Sequence, residues 1–124
     1  MTAVGFRIAF AALAACAVAV AIVSLNGDHR CTQLKADAQT APISRLGAIA
    51  GEADRCGDPR DRAVIAVREL GRGRRDASAS IARRMTVDFP GDYLGWLVVW
   101  RLSGDPRAWA RAHELNPRGT PPHS

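Results

Sequence analysis

The stretch DPRDRAVIAVRELGRGRRDASASIARRMTVDFPGD, residues 58–92, decides the fold because it marks the ends of two successive helices. Asp58 followed by proline is typical of a helix N-cap and first helical position, and Gly71 or Gly73 is expected to end that helix. Asp76 is expected to cap the second helix, which the Pro-Gly pair near the end of the stretch terminates. Each helix is expected to bury one apolar face. These faces are Ala63, Val64, Val67 and Leu70 in the first helix, and Ala77, Ile81, Met85 and Phe89 in the second.

The same pattern of caps is repeated towards the C-terminus. An aspartate opens a helix from Tyr93 to Leu102, and Asp105-Pro106 repeats the cap and proline before a last helix that ends at Asn116-Pro117. No part of the sequence alternates like a strand. The sequence therefore predicts an all-α domain with two helix pairs over residues 58–117, followed by a disordered tail over residues 118–124.

Ahead of these pairs, residues 28–57 are expected to form an antiparallel helical hairpin. Helical patterning covers Thr32–Thr40 and Ile43–Arg55. Pro42 lies between the two segments and suits the first turn of the second helix. The whole helical domain is thus predicted to span residues 28–117.

Cys31 and Cys56 are expected to form a disulfide that closes this hairpin. One unbroken helix would hold them roughly 40 Å apart at ~1.5 Å per residue, whereas a hairpin brings them together. Two cysteines in a small domain beyond an export-type segment favour one disulfide. A zinc site that adds His29 is the alternative, but it lacks a CxxC pair and a fourth ligand.

A run of mostly apolar residues, Ile8–Leu25, precedes the helical domain. As a helix it measures about 27 Å, against a hydrocarbon core of ~30 Å, so it is long enough to cross a bilayer. We expect residues 1–27 to be a retained signal-anchor, because a cleaved signal peptide has an apolar region of only about 7–15 residues. A cleaved signal peptide is the alternative. Leu13-Ala14-Ala15-Cys16 also resembles a bacterial lipobox, although the apolar run continues beyond Cys16.

The charges that flank the apolar run do not fix its orientation. Arg7 precedes it and Arg30 and Lys35 follow it, which is close to neutral under the positive-inside rule. The expected disulfide favours a cytoplasmic N-terminus and an extracytoplasmic helical domain.

The basic residues include one tight group that is a candidate binding patch. The formal net charge is +5, and Lys35 is the only lysine. A basic stripe with interleaved aromatic residues is typical of nucleic-acid binding, and here the aromatics lie elsewhere, so no nucleic-acid partner is expected. The patch is expected to contact anionic lipid or envelope polymer, or to be a solvated helix face. Its residues are Arg68, Arg72, Arg74, Arg75, Arg83 and Arg84.

The helix from Tyr93 to Leu102 is apolar almost all round, which indicates either a buried helix or one that contacts a partner. Trp96 and Trp100 are four residues apart on one face. They either pack with Trp109 into a small core or form a partner-binding surface. The candidate partner-binding residues are Tyr93, Trp96, Trp100 and Trp109.

Catalysis and cofactor binding have little support in the sequence. His29, His113 and His123 are isolated, with no nucleophile or orienting acid at a motif spacing. An acidic cluster is better explained by helix termini and solvated charge than by an acid–base pair. The cluster is Asp54, Asp58 and Asp61. The sequence predicts a non-enzyme without metal or cofactor.

Residues 62–90 resemble one unit of the tetratricopeptide repeat, a helix–turn–helix of about 34 residues. Arg62 stands where an aromatic residue is usual. The resemblance rests on a turn glycine, a terminal proline and small residues where the helices must approach. These residues are Gly73, Pro90, Ala66, Ser78 and Ala82.

Residues 92–117 resemble a second unit through Trp96, Gly104-Asp105 and Glu114-Leu115-Asn116-Pro117, although this unit is about one turn short and Trp100 is bulky. The resemblance implies a degenerate repeat array, with the disulfide-closed hairpin as an N-terminal capping pair. The layout is similar to that of small actinobacterial anchored envelope proteins. It implies an extracytoplasmic adaptor that binds another membrane or envelope protein.

Overall fold

The structure, a computed structural model, describes residues 3–119. It is helical and has no strand within that range, which confirms the predicted all-α class. Two single-turn 3₁₀-helices, Ile43–Arg45 and Ala53–Arg55, flank one of the α-helices. The α-helices are α1 (Ala3–Thr40), α2 (Leu46–Glu52), α3 (Pro59–Gly71), α4 (Arg75–Asp88), α5 (Tyr93–Ser103) and α6 (Pro106–Leu115).

The chain divides into two compact units between Arg30 and Cys31. The first unit holds the apolar part of α1, with a mean hydropathy of 2.7 over its most apolar window and none of that window buried. By length and composition this helix could span a membrane, and a signal sequence has the same properties. The segment Ile8–Leu25 lies within it, as predicted.

Helix α1 ends at Thr40, and the separate helix expected to start at Thr32 is wrong. The polar residues Asn26-Gly27-Asp28 precede the expected start, and none of them is proline. A glycine costs a helix only about 1 kcal/mol relative to alanine, so it does not end one by itself.

The segment Ile43–Arg55 is helical over the predicted range, as α2 with a 3₁₀ turn at each end. It buries Leu46 and Ile49 in the core, together with Leu34 of α1. The sulfur atoms of Cys31 and Cys56 lie at disulfide distance, 2.14 Å apart, with 5.3 Å between the Cα atoms. The structure therefore brings these two cysteines together as the sequence predicted.

Helices α3 to α6 pack consecutively: α3 on α4, α4 on α5, and α5 on α6. Helix α2 packs on α3 and α4, and α3 also packs on α5. The closest approach lies at Gly95 of α5, where an added Cβ would be 3.0 Å from the Cβ of Met85 and 3.2 Å from the backbone nitrogen of Thr86. This glycine allows α5 to pack directly against the backbone of α4.

Three of the four predicted aspartate caps are confirmed. Asp58, Asp92 and Asp105 each accept a hydrogen bond from the backbone N–H two residues further on, at 2.8, 2.9 and 2.9 Å. The fourth is wrong: α4 begins at Arg75, so Asp76 lies inside the first turn, and its carboxylate accepts from Arg74. An acid in the first turn still favours the helix through the macrodipole.

Of the predicted face of α3, Ala63 is buried and Leu70 is half-buried, but the main buried face is a different one. Val64 and Val67 are 36% and 43% exposed, whereas Ile65, which the prediction omitted, is fully buried. Apart from Ala63, the buried residues follow the spacing i, i+3, i+4, i+7, and the two ends of that series are charged. The series is Arg62, Ile65, Ala66 and Glu69. A search for apolar periodicity excludes both charged ends and so selects the neighbouring face.

The predicted face of α4 is largely confirmed. Ala77, Ile81 and Met85 are buried, and Phe89 is half-buried at the C-cap of the helix.

Candidate functional site

Most of the predicted basic patch is used inside the domain. Arg68 donates to the carbonyl oxygen of Lys35, and Arg72 donates to that of Ala38 at 3.5 Å. Arg75 donates to the carbonyl oxygen of Leu102. In each case an arginine of α3, α4 or the turn between them reaches the C-terminal part of another helix.

The bonds of Arg72 and Arg75 have a simple cause. The last four carbonyl groups of a helix have no partner within the helix, and the C-terminal end carries a partial negative charge. Ala38 lies in the last turn of α1 and Leu102 in the last turn of α5, so each guanidinium satisfies an orphaned carbonyl and meets a favourable dipole. Arg72 and Arg75 thus act as side-chain caps between helices.

The remaining arginines of the patch are mostly paired with acids. Arg74 lies 3.1 Å from Asp76 and Arg84 lies 3.3 Å from Asp54. Arg74 lowers the pKa of Asp76 by hydrogen bonding. Within residues 3–119, the guanidinium of Arg83 has no hydrogen-bond or ion-pair partner, although its backbone carbonyl accepts from the hydroxyl of Thr86.

Arg62, singled out as a departure from the repeat pattern, is a buried cation. Its guanidinium donates to the carbonyl oxygens of Asp54 and Cys56, both at 2.7 Å, and forms an ion pair with Asp88. It also lies 4.8 Å from the centre of the Phe89 ring, in cation–π range. The Arg62 side chain therefore bonds both the end of the disulfide-closed segment and the end of α4.

The four aromatic candidates all lie at half-buried positions on α5 and α6. The rings of Trp100 and Trp109 are 5.3 Å apart and tilted by 50°, and Trp109 stacks on His113 at 6.1 Å. Trp96 makes no ring contact within the described residues, and its buried indole N–H has no acceptor there. Trp100 and Trp109 are thus brought together as an α5–α6 contact.

A small recess beside Trp109 has a volume of about 40 Å³, room for about one water molecule and not for a partner's side chain. Tyr93, Leu97 and His113 help to line it.

An apolar groove lies between α3 and α5. Its volume is about 390 Å³, and Ala63, Val64, Val67 and Leu94 form its apolar surface. Arg60 and Arg68 stand at its edges. A second recess of about 510 Å³ shares Arg60 and Leu94 with it, so the two lie side by side. Sequence reasoning missed this surface because it placed both valines in the core.

Glu69 was not singled out in the sequence, yet it is the most unusual buried group. Its side chain is completely buried, and neither carboxylate oxygen has a hydrogen-bond donor among residues 3–119. Burial raises the pKa of this carboxyl from 4.5 to about 7, opposed by Arg74 and Arg72. The hydroxyl of Ser78 on α4 is also buried without a described partner. In the sequence, Glu69 follows the apolar residues Ile65 and Ala66 by four and three positions, and this spacing is the signal that could have placed it on their face of the helix.

The acidic cluster is not assembled into a site. Asp54 pairs with Arg84, Asp58 caps α3, and Asp61 accepts from the amine of Lys35 at 2.8 Å. No group of three or more His, Cys, Asp or Glu side chains in the described part of the chain could hold a metal ion. His123 and the tail residues 120–124 lie outside the described residues.

Comparisons with models of protein families, with curated proteins and with solved structures gave no match to this chain.

Proposed function

We propose that this protein is a membrane-anchored helical adaptor that binds another membrane or envelope protein through the groove between α3 and α5. The exposed valines of that groove carry the proposal. Val64 and Val67 leave apolar surface in water beside Leu94, and an apolar groove with charged edges is typical of a protein-binding surface.

The proposed architecture is a short tetratricopeptide-like array. Helices α3 and α4 form one unit and α5 and α6 a second, shorter one, while the disulfide-closed segment is an antiparallel hairpin that caps the array. Small residues at the helix contacts support this arrangement, because Ala66, Ser78 and Ala82 are completely buried. A stack of such units leaves one face of the first helix of each pair free for binding.

The proposed location is the cell membrane, with residues 1–27 as an uncleaved anchor, the N-terminus in the cytoplasm and the helical domain outside. The apolar helix supports the anchor. The cysteine pair supports the orientation, because disulfides persist in oxidising compartments. A role in envelope assembly follows from this location.

The aromatic candidates fit this proposal less well as the main binding surface. The rings of Trp100 and Trp109 contact each other, and all four aromatics are half-buried. The valines of the groove have no such partner helix over their exposed part. We therefore place the partner on the groove and assign the tryptophans to α5–α6 packing.

The alternative is a module that binds anionic lipid or envelope polymer through its arginines. It is the weaker candidate, because Arg68, Arg72 and Arg75 donate to carbonyl groups and Arg74 and Arg84 are paired with acids. Polymer binding would fall steeply with salt, whereas binding centred on the valines would persist.

A charged residue placed in the groove tests whether the groove is the binding surface. We expect Val67→Asp to abolish crosslinking to the partner, because the partner would have to bury an unpaired carboxylate. Crosslinked partners would be quantified by mass spectrometry from intact membranes that contain the full-length protein. The fold should survive, because Val67 is already 43% exposed.

Val87→Asp is the matched control. Val87 is 77% exposed on α4 and lies outside the groove, so the same chemical change there should leave crosslinking intact. Equal crosslinking by both variants would refute the groove as the binding surface. If only Arg83→Gln lost crosslinking, and if the crosslinking of the wild type fell steeply with salt, the polymer-binding alternative would be favoured.

A further inference from the structure

The corner between α3 and α4 brings a buried acid close to two arginines. Glu69 lies in the last turn of α3, and its backbone carbonyl accepts from the N–H of Arg74 at 3.0 Å. Gly73 makes the turn with a φ of +83°, in the left-handed region that favours glycine. The backbone therefore fixes Arg74 next to Glu69 without any bond between their side chains.

The Glu69 carboxyl lies in a site built for a neutral group. It is fully buried, and neither of its oxygens meets a donor in the part of the chain that the structure describes. A carboxyl in such a site keeps its proton, because an ionised one would need a counter-ion or several hydrogen bonds. The hydroxyl of Ser78, also buried, provides no described bond.

The charged groups that act on Glu69 are Arg74, Asp76 and Arg72. Arg74 is held by Asp76, with its nitrogens 3.1 and 3.2 Å from the two carboxylate oxygens. Arg72 donates to the carbonyl of Ala38. The buried residues that the other packed helices contribute to this core are uncharged: Leu34 and Ala38 of α1, Leu46, Ile49 and Ala50 of α2, and Val98 of α5.

We propose that this corner is a proton-controlled arginine switch, in which Arg74 leaves Asp76 and binds Glu69 when Glu69 loses its proton. The Arg74–Asp76 pair is exposed at the Asp76 side chain, and surface pairs of this kind contribute little to stability. A buried carboxylate without a counter-ion is far more costly. Arg74 therefore gains more from Glu69 than it loses with Asp76 once Glu69 is charged.

The switch changes the surface of α2 as well. A guanidinium nitrogen of Arg74 would lie 3.6 Å from a Cβ placed on Gly47, so Arg74 covers that side of α2 when it is bound to Asp76. Turning towards Glu69 uncovers this surface. The inference does not depend on the groove or on any partner.

The pH range follows from the buried acid. Its pKa is raised from 4.5 in the ordinary state to about 7 in the folded domain. The folded state thus holds a proton that the unfolded chain has already released. The stabilisation from this carboxyl is complete at pH values below 4.5, its pKa in the unfolded chain. It falls as the pH rises from 4.5 to about 7, the pKa in the folded domain, and is lost above that.

The experiment follows the Nε–Hε resonance of Arg74 by NMR in the full-length protein in detergent micelles, from pH 5.5 to 8.5. The wild-type resonance should shift with a midpoint near pH 7 as Arg74 changes partner. In Glu69→Gln it should stay constant at the position it has when bound to Asp76. That variant retains every histidine, so a shift caused by histidine titration would persist in it and would overturn the proposal.

Asp76→Asn provides a second variant that does not alter the core. It removes the competing partner and the negative charge that raises the pKa of Glu69, so the midpoint should move to lower pH. An unchanged midpoint, or a wild-type resonance that is constant over the whole range, would overturn the switch.

Thermal unfolding separates the switch from simple burial of an acid. We expect the wild-type Tm to fall by about 10 °C between pH 5.5 and 8.5 and the Tm of Glu69→Gln to change little. A fall in Tm without movement of the Arg74 resonance would mean that Glu69 titrates while Arg74 stays on Asp76, and the switch would be refuted.

Discussion

At the scale of single residues, buried charge organises this domain. Arg62 is 5% exposed, and its guanidinium bonds two carbonyl groups and one carboxylate. Burial of a cation is favourable only when its donors are satisfied and a counter-ion is close. Arg62 meets both conditions, and the groups it satisfies belong to segments that are distant in sequence.

Arg62→Met should therefore be strongly destabilising. It leaves the carbonyls of Asp54 and Cys56 without their donor and removes the ion-pair partner of Asp88, which together cost about 2–4 kcal/mol. Urea unfolding, followed by tryptophan fluorescence, measures the change.

Arg60→Ala is the control for this prediction. Arg60 also has a carboxylate partner, Asp58, but its side chain is 81% exposed. The cap of α3 survives, because the Asp58 side chain accepts from the backbone N–H and not only from the guanidinium. A loss in Arg60→Ala as large as that in Arg62→Met would contradict the view that burial sets the effect.

At the scale of helices, the sequence predicts where a helix begins better than it predicts which face of the helix is buried. The caps at Asp58, Asp92 and Asp105 depend on local bonds over two residues, so the sequence contains all that is needed to find them. Asp76 fails as a cap because α4 begins at Arg75, one residue earlier, so that Asp76 lies inside the first turn. The prediction of the buried face of α3 is wrong for a different reason. Arg62 and Glu69 are buried but charged, so a search for apolar residues at helical spacing leaves them out.

The groove could not be predicted because it depends on α3 and α5, which are not consecutive along the chain. Val64 and Val67 have the spacing of a buried stripe, and only the packing of α3 on α5 through other residues leaves them exposed. The cysteine pair, by contrast, followed from the count of cysteines and the turn at Pro42.

Trp100→Ser tests the assignment of the tryptophans at this scale. The Trp100 ring packs on Trp109, so truncation should leave a cavity between α5 and α6 and cost about 2–3 kcal/mol, less than for a fully buried tryptophan. Thermal unfolding measures the loss, and crosslinking of the partner should be reduced only as far as the fold is lost.

Val87→Ser, at an exposed position of α4, is the comparison for Trp100→Ser and should leave the Tm unchanged. A Trp100→Ser variant with an unchanged Tm and no crosslinking would instead place the partner on the tryptophans.

At the scale of the whole molecule, the core of the second unit is continuous from Cys31 to Val98. Buried residues of α1, α2, α3, α4 and α5 belong to one cluster, and both cysteines of the disulfide are members of it. A continuous core in a domain of this size favours a single cooperative unfolding transition. The crosslink should therefore stabilise α5 and α6 as well as the segment it closes.

The double variant Cys31→Ala/Cys56→Ala tests this coupling. The disulfide joins residues separated by 25 positions, and closing such a loop contributes about 3.5 kcal/mol in the chain-entropy model. Cys16→Ala, which removes the exposed free cysteine, is the control and should leave unfolding unchanged. Tryptophan fluorescence reports on α5 and α6, and amide exchange reports on α2. If the domain is one cooperative unit, both probes report the same decrease in the free energy of unfolding for the double variant. A loss confined to α2, with the tryptophan transition unmoved, would show instead that the closed segment folds separately from the helices that follow it.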